Sequence, residues 1–401
     1  MNANDSRAHT KAKTKAGRTQ APKRKRWWMT LVRFVLTTLT IVSAAGLIAA
    51  SYGGDFRPSL YRGVCILVML MPIWTIAIVT TTVLNALWNR KALIINLLTF
   101  IACGSALWNF CPLNVLGPSE SKYENCPKFK LLSFNICNFE SQDSIYPDGM
   151  NPAMSFLIRT NADIVCLQEA GSFNPVSKKY EIPDVQIDSL SRMYPYILTN
   201  GHTQMILSKY PVESIPTGYA KATPNEIAVF RVEIEGTPIT IFNVHLQSYN
   251  LRPDDKTLYT EITEITDLKK KTESVRENVT EIKSQLLSKI QKAAEGREVD
   301  AERLGTYITR LGGPNVIVTG DFNDVPGCYT LRRLADHNMK EVYPEVGFGP
   351  MITYYVDRFY FRIDHTLYRG SLQPLKMTRP KTRNSDHYPI LSTFAITGDE
   401  K

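Results

Sequence analysis

Three long apolar runs near the start of this 401-residue chain constrain its fold more than any other feature. Residues 34–50, 64–88 and 92–110 contain no Asp, Glu, Lys or Arg, and Pro72 is the one proline within them. Each run is close to the roughly 20 residues that an α-helix needs to cross about 30 Å of hydrocarbon. The alternatives are a cleaved signal peptide for the first run and buried core helices for all three. Their close succession favours three membrane-spanning helices.

The distribution of charge predicts how these helices are oriented. Residues 1–33 carry ten Lys or Arg residues and one acid, Asp5. Basic residues beside a span tend to stay in the cytoplasm, and the basic pair Arg90 and Lys91 falls on the same side in this scheme. Arg57 and Arg62 fall on the opposite side and oppose it. An odd number of spans places residues 111–401 outside the cytoplasm, so we expect a multi-pass protein of a bacterial inner membrane with a periplasmic C-terminal part.

The chain divides by composition into a basic tail at 1–33, a membrane region at 34–110, a linker at 111–127 and a large domain at 128–398. The tail is either a disordered arm or a segment that also touches anionic lipid. Residues 111–401 hold 33 basic and 36 acidic residues, so the pI of 9.0 comes from the N-terminal part. Proteins that bind nucleic acid without reading its sequence usually carry surplus Lys and Arg on the binding domain. The slightly acidic balance of residues 111–401 therefore makes a nuclease less expected. A nuclease would need a local basic groove to bind its substrate.

Short β-rich runs alternate with helical patterns in the large domain and predict an α/β fold. The spacing suits helices at 151–160 and 330–337. The predicted strands lie at 128–137, 162–169, 203–212, 227–246 (a hairpin that turns near Gly236), 315–324 and 362–370. We expect one large core, formed where two β-sheets pack together.

An insertion at about 254–310 interrupts this pattern. Apolar residues recur there at helical spacing from Leu258 to Ile290, which predicts one long amphipathic helix or two. Its apolar stripe packs on the domain in the simplest interpretation. A lid over the strand ends, or a surface that rests on the bilayer, is the alternative.

Polar residues of a few types follow the ends of the predicted strands. They are Asn135, Glu169, His245, Asp321, Asn323, Asp364, Asp386 and His387. Each alone suits a turn or a helix cap, but together they predict one pocket at the rim of a sheet. The oxygens of Glu169, Asn135 and Asp386 suit a hard divalent cation, and two histidines beside such an ion suit hydrolysis of a phosphate ester.

The seven cysteines do not indicate a zinc site, because no CxxC or Cys/His ligand spacing occurs. Cys137 and Cys166 lie in apolar, strand-like runs. We expect both to be small buried side chains rather than partners in a disulfide.

Six motifs in this order, "SFNIC", "LQE", "NVHL", "GDFND", "RID" and "SDHYP", resemble the signature of the endonuclease/exonuclease/phosphatase superfamily. This group includes pancreatic deoxyribonuclease, neutral sphingomyelinases, inositol polyphosphate 5-phosphatases and abasic-site endonucleases. The resemblance covers residues 128–395 and implies a four-layer sandwich of two mixed β-sheets flanked by helices. It also implies hydrolysis of a phosphate ester with Mg²⁺, or Mn²⁺ in its place. His245 of "NVHL" makes the chain more similar to deoxyribonuclease, the sphingomyelinases and the phosphatases, because abasic-site endonucleases lack a histidine at this place in the motif.

The resemblance also implies a role for each matched residue. Glu169 would be the main metal ligand, with Asn135 beside it and Asp386 near the metal. Asp321 and Asn323 would orient the attacking water and bind the scissile phosphate. His387 would pair with Asp364, which fixes its tautomer, and His245 would contact the phosphate as a second histidine.

Two departures from the family pattern are visible. Cys137 stands where some family nucleases carry an acid, which argues against a second metal ion, and the acid that partners the second histidine in deoxyribonuclease has no match here. The expected substrate is a lipid head group, a nucleic acid or a soluble phosphate ester. The anchor adds contact with membrane lipid, and no obligate protein partner is inferred. The alternatives to a general phosphoesterase are a dedicated DNA or RNA nuclease and a non-catalytic scaffold that retains the fold.

Overall fold

The computed structural model describes residues 23–115, 117–140, 149–171, 182–200, 203–218, 226–249, 274–356 and 360–398. Within these ranges the side chains of 23–26, 200 and 274–284 are not described. Two parts follow each other along the chain, an N-terminal group of apolar helices and a large α/β domain.

The N-terminal part contains α1 (Lys23–Tyr52), α2 (Val64–Met69), α3 (Met71–Trp88) and α4 (Leu93–Phe110). Three of its helices, within Trp27–Asp55, Met71–Trp88 and Arg90–Phe110, are long and apolar enough to cross a membrane. The predicted second span at 64–88 is too long, because the chain breaks at Leu70 into α2 and α3. Pro72 lies in the first turn of α3, where its missing N–H costs no helical hydrogen bond.

Helices α1, α3 and α4 pack into a bundle around Leu47, Ile78 and Cys103. A buried hydrogen-bond network crosses the bundle, in which Asn85 Nδ2 donates to Thr40 Oγ1 at 2.8 Å and to Asn96 Oδ1 at 2.9 Å. Hydrogen bonds between polar side chains hold membrane helices together where apolar contact with lipid gives no preference for association.

The large domain contains two six-stranded sheets. Its strands are β1 (Lys128–Asn135), β2 (Ile164–Gln168), β3 (Tyr196–Asn200), β4 (Gln204–Ser208), β5 (Val212–Ser214), β6 (Glu226–Ile234), β7 (Thr237–His245), β8 (Val316–Asp321), β9 (Lys340–Glu341), β10 (Asp364–Arg369), β11 (Leu372–Thr378) and β12 (Ile390–Ile396). One sheet has the order β11-β12-β1-β2-β4-β3, and the other has the order β5-β6-β7-β8-β10-β9. Helices flank them: α5 (Pro152–Thr160), α6 (Asp184–Met193), α7 (Ser274–Leu311), α8 (Tyr329–Ala335) and α9 (Val342–Val346).

The two sheets pack face to face. Their inner faces share one core, to which Phe129, Ile164, Phe230 and Ile317 contribute fully buried side chains. Separate apolar clusters lie between each sheet and its outer helices. The predicted four-layer α/β sandwich is therefore confirmed, with three apolar helices before it.

Parallel pairing lies at the centre of each sheet and positions the polar strand ends. Strands β1 and β2 are parallel, as are β7 and β8, whereas their outer neighbours pair antiparallel. Because parallel strands end at the same edge, β1 and β2 deliver their C-terminal residues to one rim. In the other sheet, His245 at the end of β7 is in register with Asp321 at the end of β8.

The cysteines and the helical insertion agree only in part with the predictions from sequence. Cys166 is fully buried in β2 as expected, but Cys137 is half-buried in a 3-10 turn beyond the end of β1. None of the seven cysteines, all of which the structure describes, forms a disulfide. In the insertion, α7 runs from Ser274 to Leu311. The predicted helical segment before it, at 254–273, lies outside the described residues.

Candidate active site

The eight residues predicted from the strand ends come together at one rim of the two sheets. Asn135, His245 and Asp321 are the last residues of β1, β7 and β8. Glu169 follows β2 directly and has a φ of 51°, while Asn323 has a φ of 50°. This left-handed backbone turns the chain sharply after the strand and is more common for Asn than for Glu.

Asn135 joins the two sheets through its side-chain amide. Its Nδ2 donates to Glu169 Oε1 and to Asp321 Oδ2, both at 3.0 Å. Its Oδ1 accepts the backbone N–H of Cys137 at 3.2 Å. Asn135 therefore fixes the separation of two carboxylates that belong to different sheets.

His387 and Asp364 form a buried pair across the same rim. Asp364 Oδ2 lies 2.9 Å from His387 Nδ1, and the free Nε2 of His387 lies 3.5 Å from Asp321 Oδ2. Burial acts to lower the pKa of His387, but the carboxylates of Asp364 and Asp321 outweigh it and raise that pKa to about 10. The imidazole is thus held as a cation with Nδ1–H donating to Asp364 and Nε2–H directed at the site.

His245 also lies close to the acidic group. Its Nε2 is 3.7 Å from Glu169 Oε1 and 3.7 Å from Asp321 Oδ2. Asn323 is held close by, because its backbone N–H donates to Asp321 Oδ1 at 2.8 Å and its Nδ2 donates to the carbonyl of Leu246 at 3.1 Å. These contacts leave both Asp321 oxygens engaged and its orientation fixed.

Ser385 positions the Asp386 and His387 pair. Its hydroxyl lies 2.7 Å from the Asn135 carbonyl and 3.2 Å from Asp386 Oδ1, and it accepts the N–H of His387 at 3.1 Å. It stands in the "SDHYP" motif, so the sequence named its neighbours but assigned it no role. Its contact with β1 connects the loop before β12 to the central strand.

The rim encloses a pocket of about 300 Å³. Six predicted residues line it, namely Glu169, His245, Asp321, Asn323, Asp386 and His387. The other two, Asn135 and Asp364, lie behind and contact the lining through hydrogen bonds. Glu169 and His387, 218 positions apart in sequence, thus face the same cavity.

The donor set of the pocket fits a hard divalent cation. Three of its lining residues, Glu169, Asp321 and Asp386, are carboxylates, and oxygen ligands of this kind suit Mg²⁺. Ligand atoms of Asp321, Asp364 and His387 lie within 4.8 Å of one another, close enough to hold a metal ion. That group differs from the predicted ligands Glu169, Asn135 and Asp386. Because His387 Nδ1 and Asp364 already occupy each other, the carboxylates that face the open pocket fit a cation better.

Arg297 and His365 lie behind the site and support the loop that contains Asp324, and no sequence pattern described above indicates them. Arg297 of α7 is fully buried and pairs with Asp324 through Nε at 3.1 Å, and its Nη1 donates to the Gln247 carbonyl at 2.9 Å. His365 Nε2 lies 2.9 Å from the Asp324 carbonyl. Asp324, the final residue of "GDFND", could have been predicted from the motif. Arg297 could not, because a single Arg in an amphipathic helix is not distinctive.

Sequence comparison assigns the chain to a family. The profile of the Endonuclease/Exonuclease/phosphatase family matches residues 132–387, and the chain belongs to this family. A search of curated proteins finds no match.

Solved structures similar to this chain come from animals and bacteria. Truncated TDP2 of Caenorhabditis elegans is 17% identical, with 67% of this chain and 97% of that chain covered and a TM-score of 0.40. An endonuclease/exonuclease/phosphatase family protein of Leptotrichia buccalis is 13% identical, with 66% and 99% covered and a TM-score of 0.42. The human Nocturnin catalytic domain with bound sulfate is 15% identical, with 68% and 94% covered and a TM-score of 0.38.

Proposed function

We propose that this protein is a membrane-anchored, Mg²⁺-dependent phosphoesterase of a bacterial inner membrane, with its catalytic domain on the periplasmic side. The observation that carries the proposal is the pocket in which carboxylates of both sheets face the Asp364–His387 pair. An acidic wall holds a cation, and an imidazolium beside it stabilises a phosphate. Family membership supports the same class of reaction.

The proposed mechanism gives each side chain one task. Glu169 and Asp386 would hold Mg²⁺, or Mn²⁺ in its place, which would offset negative charge on the phosphate, and Asn135 would position the Glu169 carboxylate through Nδ2. Asp321 would accept a proton from the attacking water at Oδ2, the oxygen that lies 3.7 Å from His245 Nε2 and 3.5 Å from His387 Nε2.

The two histidines would act on the phosphate from the other side. His387 Nε2–H would donate to a phosphoryl oxygen, while Asp364 accepts Nδ1–H and stabilises the imidazolium. His245 would donate a second hydrogen bond through Nε2, and Asn323 would keep the loop beside the phosphate in place through its bond to Leu246. Both hydrogen bonds would strengthen as negative charge develops on the phosphoryl oxygens in the transition state.

The ends of the helices support the proposed topology. The Ser51 carbonyl at the end of α1 accepts from Arg332 at 2.9 Å, and Trp108 at the end of α4 donates to the Pro344 carbonyl at 2.9 Å. The catalytic domain therefore adjoins the ends of α1 and α4 that lie away from the basic tail. Arg57, which opposes the charge rule, is paired on this side with Glu298 at 3.8 Å and Glu302 at 3.4 Å.

The test is an assay of the full-length protein purified in detergent with Mg²⁺. The substrates are plasmid DNA, sphingomyelin, phosphatidylinositols and p-nitrophenyl phosphodiesters, and the controls are EDTA and His387→Ala. We expect hydrolysis of at least one substrate that both controls abolish. Activity that persists in both controls would refute the mechanism, DNA as the preferred substrate would indicate the nuclease alternative, and no hydrolysis by any preparation would indicate a scaffold.

A further inference from the structure

A second cavity, of about 330 Å³, lies between the membrane helices and the catalytic domain. We call it the tail groove. Residues of α2 and α3 form one wall, among them Met69, Pro72 and Thr75, and residues of the domain form the other, among them Val325, Met351 and Phe361. Its lining is almost entirely apolar.

The tail groove adjoins the catalytic pocket. Met69 and Phe361 line both cavities, and both side chains are half-buried. Met69 ends α2, the short helix that separates from the predicted second span and packs on the domain through Val68, Val325 and Ile363. These two side chains therefore form the boundary between the catalytic pocket and an apolar space.

The other side of the groove belongs to the candidate membrane helices. Pro72, Thr75 and Ile76 lie in the first turns of α3, and Phe110 ends α4. Ile76 is 68% exposed, as expected for a side chain that faces lipid. The groove thus meets the part of the molecule proposed to enter hydrocarbon.

The charged residue Arg362 in the groove wall is neutralised from behind. Its Nη2 donates to the Asn109 carbonyl at 2.6 Å and lies 3.3 Å from Glu341 Oε1, and its guanidinium stacks on Tyr343 at 4.6 Å. The side chain is buried, so it presents little free charge to an occupant.

We infer that the substrate is an amphiphilic phosphate ester drawn from the bilayer, whose phosphate enters the catalytic pocket while its alkyl chain lies in the tail groove. This inference rests on the proposed phosphoesterase function and adds the class of substrate. A chain that leaves a bilayer gains little free energy by entering another apolar site. The groove therefore acts mainly by positioning the phosphate, and its effect should appear in kcat/KM.

The test uses two substrates that differ only in chain length, p-nitrophenyl hexadecyl phosphate and p-nitrophenyl methyl phosphate. Both are phosphodiesters with the same leaving group, so the difference between their rates of p-nitrophenolate release measures the effect of the alkyl chain. We expect the full-length protein in detergent to hydrolyse the hexadecyl ester with a kcat/KM at least about tenfold higher. Equal rates, or a preference for plasmid DNA, would overturn the inference.

A matched pair of variants separates the groove from simple concentration of the ester in micelles. Thr75→Trp fills the groove, whereas Thr80→Trp adds the same bulk to an exposed position of the same helix outside it. We expect Thr75→Trp to lower kcat/KM for the hexadecyl ester by about tenfold or more and to leave the methyl ester within about twofold. Thr80→Trp should leave both unchanged. If Thr75→Trp changes neither ester, or both equally, the groove does not hold the chain.

A binding measurement distinguishes failure of this inference from failure of the proposed chemistry. A hexadecyl phosphonate with a diazirine at the chain end should crosslink to the segment 350–352 or to α3 in the wild type, and less in Thr75→Trp. Crosslinking without hydrolysis of any ester would support the groove and refute the phosphoesterase. Hydrolysis of the methyl ester without crosslinking would support the phosphoesterase and refute the groove.

Discussion

Asp364 and His387 illustrate how single residues at this site depend on one another. The pair is buried, its atoms are 2.9 Å apart, and Asp321 lies 3.5 Å from the free nitrogen of the ring. A carboxylate behind a histidine fixes the tautomer and stabilises the charged ring. The role that we propose for Asp364 is therefore electrostatic and orientational, although it does not line the pocket.

Removal of that charge gives the first prediction. Asp364→Asn retains the shape of the side chain but removes the negative charge that stabilises the His387 imidazolium, so Nε2–H becomes a weaker donor to the phosphate. We expect kcat to fall on the order of 10²–10⁴-fold. Steady-state kinetics on the preferred ester measure the change, with the exposed Asp336→Asn as the matched control. A variant that stays folded and retains more than about a tenth of wild-type kcat would contradict the role proposed for the pair.

Glu169 carries the second prediction at this scale. Glu169→Gln removes one negative charge from the proposed cation site at nearly constant volume. The Mg²⁺ concentration for half-maximal activity should rise by about tenfold or more, because a hard cation prefers a carboxylate to an amide oxygen. Glu213→Gln, at an exposed position in β5, is the control. An unchanged Mg²⁺ requirement in Glu169→Gln would assign the ion to other side chains.

At the scale of elements, α7 connects the insertion to the catalytic rim. Ala293, Ala301 and Leu304 are buried, and Ile290 lines the catalytic pocket. The described part of this helix therefore packs on the domain and also reaches the site. The lid proposed for the preceding residues stays a prediction, and deletion of 256–291 without any change in substrate preference would count against it.

The ion pair between α7 and the "GDFND" loop gives the third prediction. Arg297→Met leaves Asp324 buried without its partner, and loss of one member of a buried pair costs roughly 3–5 kcal/mol. Urea unfolding of the full-length protein in detergent measures the free energy of unfolding. The exposed Arg310→Met should cost less than about 1 kcal/mol.

A double variant tests the cause of that loss. Arg297→Met combined with Asp324→Leu removes both charges and should recover part of the lost stability. If the double variant is as unstable as the sum of the two single variants, packing rather than charge accounts for the effect.

The elements themselves were predictable where the chain alternates in polarity. The β6–β7 hairpin turns at Glu235 and Gly236 as expected, and the helix starting at Pro152 agrees with its pattern. Strands β11 and β12 were not predicted, and β12 pairs with β1 at the centre of its sheet. Its sequence is a short apolar run that helix and strand accommodate equally, so only its pairing partner decides its conformation.

At the scale of the whole molecule, the anchor and the catalytic domain are joined by direct contacts. The segment between α1 and α2 is held against α7, where Gln291 accepts the N–H of Gly63 at 2.9 Å and donates to the Pro58 carbonyl at 2.6 Å. Gly54 lies so close to Gly327 that a Cβ would be 1.9 Å from the Gly327 carbonyl oxygen. The apolar N-terminal helices therefore shape the surroundings of the candidate site.

The fourth prediction concerns topology. Because the start of α1 and the pair Arg90 and Lys91 lie at the end of the bundle away from the domain, the basic tail and this pair should stay in the cytoplasm. Protease added outside sealed spheroplasts should digest an epitope at the C-terminus and spare one at the N-terminus. Permeabilised spheroplasts, in which both epitopes are digested, are the control. Protection of the C-terminal epitope in sealed spheroplasts would reverse the proposed orientation.

The sequence by itself determined the apolar helices, the strands that end in polar residues and the identity of the eight candidate site residues. The length of an uncharged run and the alternation of polar and apolar residues are local properties of the sequence, so they can be recognised without the tertiary structure. Only the tertiary structure decided that Val64–Met69 leaves the second span, that Arg297 supports the site from an insertion, and that the catalytic pocket meets an apolar groove. Such facts depend on contacts between segments far apart in the chain, and the energy of those contacts comes from burial and pairing that no single segment encodes.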